Sequence, residues 1–91
     1  MPTAIVMIDT DQSQIPEVAT EIAAVPGVAE VYSVTGEVDL IAIVRVANHE
    51  EFATVIADRI NKIGGVERTR TYLAFREFSD SDLDAAFDIG L

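Results

Sequence analysis

The sequence has no cysteine and no tryptophan, and its single histidine is His49. Without cysteine, disulfide bonds and thiolate chemistry are excluded. No charged segment followed by an apolar run indicates a signal peptide, and no stretch is long and apolar enough to span a membrane. No carboxylate pair, and no nucleophile with a base, occurs at a recognisable spacing. These absences predict a cytoplasmic protein that is not an enzyme and uses no cofactor.

Basic residues are also scarce in this sequence. The 91-residue chain has 6 of them against 16 acidic residues, which gives a net charge of −10. A field of this sign repels phosphate backbones and anionic lipids, so direct contact with nucleic acid or membrane is not expected. Hydrophobic residues make up 49% of the chain, a high share for one small domain. We therefore expect a second copy of the chain to cover part of the apolar surface.

The sequence repeats itself with a fixed offset. A shift of 38 residues aligns residues 4–8, AIVMI, with residues 42–46, AIVRV, without a gap. The same shift aligns five further residues with their counterparts: Ala19 with Ala57, Ile22 with Ile60, Val25 with Ile63, Gly27 with Gly65 and Val28 with Val66. Because the register survives over such a length, the chain contains two copies of one structural unit.

Each unit is predicted to form a strand, a helix and a second strand. The strands are expected where apolar and β-branched residues dominate, at residues 3–9, 28–35, 40–46 and 66–75. The first helix has Pro16 in its first turn and apolar residues at helical spacing, namely Ile15, Val18, Ala19 and Ile22. The second is expected to begin at a capping box of Asn48 and Glu51 and to carry one apolar side, formed by Phe52, Ile56, Ile60 and Ile63.

A doubled β-α-β unit of this length is typical of the α+β class and of the ferredoxin-like fold, a four-stranded antiparallel sheet with the first and third strands at its centre. Those two strands are nearly uncharged, whereas the other two carry the charges of edge strands, namely Glu30, Glu67, Arg68 and Arg70. Both helices cover one face of the sheet. Because the other face remains apolar, we expect a face-to-face homodimer of the dimeric α+β barrel type, with about 800 Å² buried per partner.

The ferredoxin-like domain is expected to cover residues 1–78, and residues 79–91 are expected to form a short C-terminal amphipathic helix. The apolar side of this tail consists of Leu83, Ala86 and Phe87. Its alternating acids, Asp80, Asp82 and Asp84, are similar to the start of a calcium loop. Neither the glycine nor the closing glutamate of such a loop follows at its position, so no metal site is expected.

Three segments carry a family resemblance that covers roughly residues 3 to 75. They are VPGVAEVYSVTGEVDLIAIVRV, with Pro-Gly-Val before the second strand and Thr-Gly-x-x-Asp in the hairpin, then HEEFATVIADRINKIGGV and VERTRTYLAF. The sequence resembles the effector-binding domain, or RAM domain, of the Lrp/AsnC family of transcriptional regulators. The resemblance implies a ligand-binding module with a role in transcription regulation, dimers joined through their sheet faces, assembly into rings such as an octamer, and an amino-acid effector bound where dimers meet.

The sequence departs from the full-length plan of that family at its start. The family's regulators resemble one another in carrying a helix-turn-helix before this domain, whereas here the first predicted strand begins at Thr3. We therefore expect a stand-alone member without its own DNA-binding half. Such a module would act alone or by joining full-length Lrp/AsnC relatives.

The hairpin loop before the third strand is the candidate site for the effector. Gly36 permits a backbone with positive φ, so the successive amides of Gly36, Glu37 and Val38 would be able to point at one carboxylate. Asp39 would accept from the ammonium group, which completes the head of a free amino acid. By resemblance, the wall for the effector side chain is expected from Thr69 and Thr71 of the fourth strand, and also from Tyr32.

Other interpretations of these residues and of the whole chain stay open. Gly36 is also a common turn residue, and Asp39 is also able to bond to backbone amides of its own turn. Thr69 and Thr71 are β-branched and suit a strand by packing alone. As alternatives to a sensor, the chain would be a small dimeric enzyme of the monooxygenase type or a purely structural protein-interaction module.

Overall fold

The computed structural model describes residues 1–80, and its strands form one antiparallel sheet. The strands are β1 (Thr3–Thr10), β2 (Val28–Ser33), β3 (Leu40–Arg45) and β4 (Val66–Leu73). They are arranged in the order β2-β3-β1-β4, with β1 antiparallel to both of its neighbours. The predicted ferredoxin-like α+β fold, with the first and third strands at the centre, is therefore confirmed.

The first helix, α1 (Ile15–Ala23), follows a 3-10 turn at Gln12–Gln14 and has Pro16 in its first turn, as the sequence predicts. Its buried residues are Val18 and Ile22. Residues at this spacing lie on one side of a helix, so α1 covers one face of the sheet with a single apolar stripe.

The second helical segment differs from the regular helix that the sequence predicts. It consists of a π-helical segment, α2 (Ala53–Ala57), followed by a 3-10 turn at Ile60–Lys62. In α2 the amide of Asp58 donates to the carbonyl of Ala53, five residues back, over 3.1 Å. Three consecutive β-branched residues, at 54–56, crowd this turn, and such residues disfavour a regular α-helix.

The predicted capping box before α2 is also not formed. The Asn48 side-chain amide donates to the Glu51 carboxylate over 3.1 Å, so the two side chains bond to each other and not to the backbone amides at the start of a helix. The predicted apolar side is nevertheless present. Phe52, Ile56 and Ile60 are buried, because the wider turn still directs them towards the sheet.

The core lies between the helical segments and one face of the sheet. In β1 and β3 alternate residues are buried, namely Ala4, Val6, Ile8, Leu40, Ala42 and Val44. This strict alternation has the period of a strand that is covered on one side only. Within the described chain, the central strands are therefore buried on one face and partly exposed on the other.

The sheet surface away from α1 and α2 is called the open face below. Its centre consists of Ile5 and Met7 of β1 and Ile41 and Ile43 of β3, all of them partly exposed. The two tyrosines, Tyr32 and Tyr72, flank this centre on the edge strands β2 and β4. The open face thus joins apolar side chains of four strands into one continuous surface.

Three loops meet at one end of the sheet. The amide of Asp11, after β1, donates to the carbonyl of Gly65 over 2.8 Å. The amide of Asp39, before β3, donates to the carbonyl of Ile8 over 3.0 Å. The candidate loop therefore lies beside the turn that leads into α1. The predicted tail helix lies, from residue 81 onwards, outside the described residues, and the domain boundary at residue 78 stays a prediction.

Gly65→Ala is expected to destabilise the fold strongly. Gly65 has a φ of +100°, and a β-carbon added there would lie 2.5 Å from Cγ2 of Val18 in the core. Backbone strain and overpacking together predict a loss of about 2–4 kcal/mol in the free energy of unfolding, measured by urea denaturation at fixed protein concentration. Gly64→Ala is the matched control, because its β-carbon would meet nothing within 4 Å. Equal stability losses in both variants would contradict this explanation.

Candidate functional site

The loop between β2 and β3 presents backbone donors that have no partner in the described part of the chain. Gly36, at its tip, has a φ of +128° and is exposed, and a β-carbon there would meet no atom within 4 Å. Within residues 1–80, no protein atom accepts a hydrogen bond from the amides of Gly36, Glu37 or Val38. The Val38 side chain is only 6% exposed and anchors the loop to the core. The loop thus offers three adjacent donors from an anchored position.

Asp39 lies directly after these donors and is firmly held. Its amide donates to Ile8, and its carbonyl accepts from the amide of Val34 over 3.1 Å. One carboxylate oxygen, Oδ2, accepts from the amide of Thr10 over 2.9 Å, and the other, Oδ1, accepts from Nε2 of Gln12 over 2.9 Å. The Asp39 carboxylate therefore does accept from a backbone amide, as the alternative to effector binding expects. That amide belongs to Thr10 at the end of β1 and not to the turn of Asp39 itself.

The hydrogen bonds to Asp39 also favour the ionised form of its carboxylate. The Thr10 amide and, second to it, the Gln12 side chain hold the pKa of Asp39 below its ordinary value. A carboxylate is able to accept about four hydrogen bonds, and only two are made here. Asp39 is thus a half-buried negative charge with acceptor capacity left over, next to three unused donors. Three donors next to one negative charge are chemically complementary to a small group that carries both an anion and a cation.

The two threonines do not join this loop within one chain. Thr69 pairs with Ile8 and Thr71 with Val6, which places both on the helix-covered side of the edge strand β4. Since β1 separates β4 from β3, about two strand spacings, or roughly 10 Å, lie between Thr69 and the start of β3. The Thr69 hydroxyl also donates to Oδ1 of Asn61 over 2.7 Å.

Tyr32 lies on the edge strand β2, which leads into the candidate loop. It pairs with Ile41 on the open face, at the edge of the sheet opposite β4. Its hydroxyl donates to Glu30, whose other oxygen accepts from Arg45 over 2.9 Å. The bond from Tyr32 and then that from Arg45 lower the pKa of Glu30, and the same carboxylate raises the pKa of Tyr32. Tyr32 therefore belongs to a polar cluster of the open face.

Two hydrogen-bond partners of Asp39, Thr10 and Gln12, are not among the site residues predicted from the sequence. They lie 29 and 27 residues away from Asp39 in the chain. One signal for them exists in the sequence. Two antiparallel central strands place the end of the first beside the start of the third, so polar residues just after β1 are neighbours of the loop before β3.

Acid is expected to remove the stabilisation that Asp39 contributes. Because its pKa is lower in the folded chain, this contribution is complete above the ordinary aspartate value of about 4 and is lost as the pH falls through the folded value. We expect Asp39→Asn to have a lower melting temperature than the unchanged protein at neutral pH. Between pH 5 and about pH 2, its melting temperature should fall less than that of the unchanged protein. Asp58→Asn, at an exposed aspartate, is the control. If the melting temperature of Asp39→Asn depended on pH as that of the unchanged protein does, the acid-sensitive stabilisation would not come from Asp39.

The described residues offer neither a metal site nor a membrane-spanning helix. Within residues 1–80, no three histidine or acidic side chains lie close enough together to hold a metal ion. Among the same residues, no helix has the length and apolarity needed to cross a membrane. Two of the three aspartates of the calcium-like alternation, Asp82 and Asp84, lie outside the described residues.

The sheet, its helical cover and the loop together are those of a small ferredoxin-like α+β domain. Residues 3–83 match the family model described as the Lrp/AsnC ligand binding domain. The chain belongs to this family. The resemblance inferred from the sequence is therefore confirmed, and it extends over most of the chain.

The relatives of the chain are transcriptional regulators. The uncharacterized HTH-type transcriptional regulator PH1916 of Pyrococcus horikoshii is 46% identical over 59 residues, which cover 65% of this chain and 39% of that protein. The chain thus spans less than half the length of this regulator.

Two solved structures show the same fold. TTHA0845 from Thermus thermophilus is 46% identical with a TM-score of 0.82, and the match covers 87% of this chain and 99% of that one. The transcriptional regulator NMB0573 of Neisseria meningitidis, solved in complex with L-Met, has a TM-score of 0.76 at 18% identity, and the match covers 86% of this chain and 52% of that one. At that identity, the second likeness concerns the fold alone.

Proposed function

We propose that this chain is an amino-acid-binding module that acts through its state of assembly. The observation that carries the proposal is the loop in which three unused amides, at residues 36–38, directly precede the anchored carboxylate of Asp39. Donors and an ionised acceptor this close together complement the two charges of one amino-acid head group. The name of the matched family, a ligand binding domain, supports the same interpretation.

Each half of the head group has a partner in this proposal. The effector carboxylate accepts from the amides of Gly36, Glu37 and Val38. The effector ammonium donates to the lone pairs that Asp39 has left after its bonds to Thr10 and Gln12. Because Asp39 is ionised at neutral pH, and its hydrogen bonds lower its pKa further, the ammonium meets a full negative charge.

The effector side chain is proposed to bind between chains. Within one chain, Thr69 lies roughly 10 Å across the sheet from the start of β3, and Thr71 lies further along its strand, so neither easily contacts a small ligand held by the loop. Supplied by a neighbouring chain, their methyl and hydroxyl groups would form the wall of the site. The position of Tyr32 on the open face favours a role in the interface between chains over contact with the effector.

The open face is proposed to bind the same face of a second copy. Its centre of Ile5, Met7, Ile41 and Ile43 is large enough to need cover, and a standard interface buries about 800 Å² per partner. A two-fold axis would place these four residues of one copy against the same four of the other. Dimers of this kind would then assemble into larger rings, such as an octamer.

Charge also favours a second copy as the occupant of the open face. The whole chain carries −10, yet the paired residues on this face include three arginines, Arg45, Arg68 and Arg70, against two acids, Asp9 and Glu30. Two strongly acidic chains repel each other at most other surfaces. The open face is a place where they are able to approach without this repulsion.

Linkage gives such a module its regulatory effect. If an effector contacts two dimers at once, it stabilises the assembled form by about 2.7 kcal/mol at a hundredfold excess over its Kd. This energy shifts an assembly equilibrium about a hundredfold. The module would pass the signal on through its own rings or through joint assembly with full-length relatives. The net charge disfavours direct binding of DNA by this part of the chain.

Isothermal titration calorimetry of the assembled protein with each of the twenty amino acids tests the proposal. We expect heat of binding with at least one of them, with a Kd in the micromolar to millimolar range, and a parallel change in mass by light scattering. Stable assembly without heat from any amino acid would reject the sensor function. That result would favour a purely structural interaction module.

A further inference from the structure

Gln12 lies in the turn between β1 and α1, and its backbone is firmly placed. The carboxylate of Asp11 accepts from both the amide and the hydroxyl of Ser13, over 3.0 and 2.8 Å. The carbonyl of Asp11 accepts from the amide of Gln14 over 2.9 Å. From this fixed turn the exposed side chain of Gln12 reaches across to Asp39. Its carboxamide thus lies at the edge of the candidate effector site.

The chemistry of the contact determines how this carboxamide is oriented. An ionised carboxylate only accepts hydrogen bonds, so the Gln12 amide must turn its Nε2 towards Asp39. Its Oε1 is then directed away from Asp39, and no residue of the described chain donates to it. The carbonyl oxygen of Gln12 is therefore an unused acceptor close to the unused lone pairs of Asp39.

We propose that Gln12 is a second ligand for the ammonium group of the effector, an inference that rests on the proposed amino-acid-binding function. An ammonium has three N–H donors, and a single carboxylate leaves some of them unpaired. Oε1 of Gln12 accepts one of these donors while Oδ1 of Asp39 accepts another. The site then selects for a primary ammonium over an uncharged group at the same position.

Asp39 does not need Gln12 for its placement. Its backbone is held by Ile8 and Val34, and its Oδ2 is held by the amide of Thr10. The Gln12 bond is made by an exposed side chain to the remaining oxygen, so its loss leaves three other anchors in place. A role in ligand contact therefore explains this bond better than a role in holding the loop.

Gln12→Met tests the inference, because methionine keeps the length of the side chain and removes both polar atoms. The probes are the amino acid that gives heat with the unchanged protein and the same acid with hydrogen in place of its ammonium group. We expect the variant to bind the amino acid about three- to tenfold more weakly, as one hydrogen bond is lost. Binding of the analogue without ammonium should stay unchanged.

Gln14→Met is the matched control, since Gln14 is an exposed glutamine of the same turn without a bond to Asp39. It should bind both probes as the unchanged protein does. Equal weakening of both probes in Gln12→Met would overturn the inference, because Gln12 would then act on the loop and not on the ammonium. Unchanged binding of the amino acid in Gln12→Met would overturn it as well. Failure of the unchanged protein to bind any amino acid would reject the proposed function and this inference together.

Discussion

Ile43→Lys is expected to convert the assembled protein into monomers. Ile43 lies at the centre of the open face on β3, where a two-fold interface would place two copies of the new charge in an apolar surface. An unpaired buried charge, present twice, should weaken dimerisation by a factor of about one hundred or more. Sedimentation velocity over a dilution series measures this change. Because Ile43 is partly exposed in the single chain, the variant should keep its secondary structure by circular dichroism.

Ala23→Lys is the control for this experiment. It introduces the same charge at an exposed position at the end of α1, on the other side of the sheet. This variant should assemble as the unchanged protein does. If Ile43→Lys also assembles normally, the open face is not the interface, and the proposed face-to-face dimer is wrong.

Asp39→Ala is expected to abolish most of the effector binding while leaving the dimer intact. The substitution removes the charge-assisted bond to the ammonium group, which should weaken binding by about tenfold or more in calorimetry. It also removes the anchor to Thr10, so a lower melting temperature is expected. Asp39 lies at the end of the sheet and not in the centre of the open face, so sedimentation should still detect dimers.

Two further variants separate the charge of Asp39 from its geometry. Asp39→Asn keeps an oxygen that accepts from Thr10 but removes the charge, so it should bind the effector nearly as weakly as Asp39→Ala. Glu37→Gln removes one negative charge from the same loop and keeps the amide, so binding should change by less than about threefold. Wild-type affinity in Asp39→Asn would show that its charge does not contact the effector.

The two substitutions with the largest expected effects act at different levels. Ile43→Lys should remove assembly and, with it, every site that needs two chains. Asp39→Ala should remove binding without removing the dimer. If binding survives in monomeric Ile43→Lys, one chain contains the whole site, and Thr69 and Thr71 are not part of it.

Much of the fold follows from local patterns in the sequence. The 38-residue repeat predicts the doubled unit, and the charges of the second and fourth strands predict their place at the edges. These predictions hold because a buried strand face needs apolar residues at alternate positions, and a strand that carries several charges is tolerated only where solvent reaches it, at the edge of a sheet. The second helix differs from the prediction. Its apolar residues pack as expected, but its central turn is π-helical, and three adjacent β-branched residues there weaken the preference for a regular α-helix.

The candidate site is less completely predictable from local sequence patterns. The glycine and the aspartate of the loop are visible as a motif, whereas the bonds from Asp39 to Thr10 and Gln12 are not, because they join segments 29 and 27 residues apart. Only the pairing of β1 with β3 brings those segments together. The face of the sheet on which Tyr32 lies was likewise decided by strand register.

By itself, then, the sequence determined the class of fold through its 38-residue repeat, and the core and the acidic character of the chain through its apolar periodicity and composition. Its motifs carried the resemblance to the family. The tertiary structure decided which groups surround the Asp39 carboxylate, which loop amides have no partner among the described residues and which charged residues lie on the open face. The physical reason is that hydrogen bonds across a sheet depend on the register between distant segments, and neighbours along the chain do not set that register.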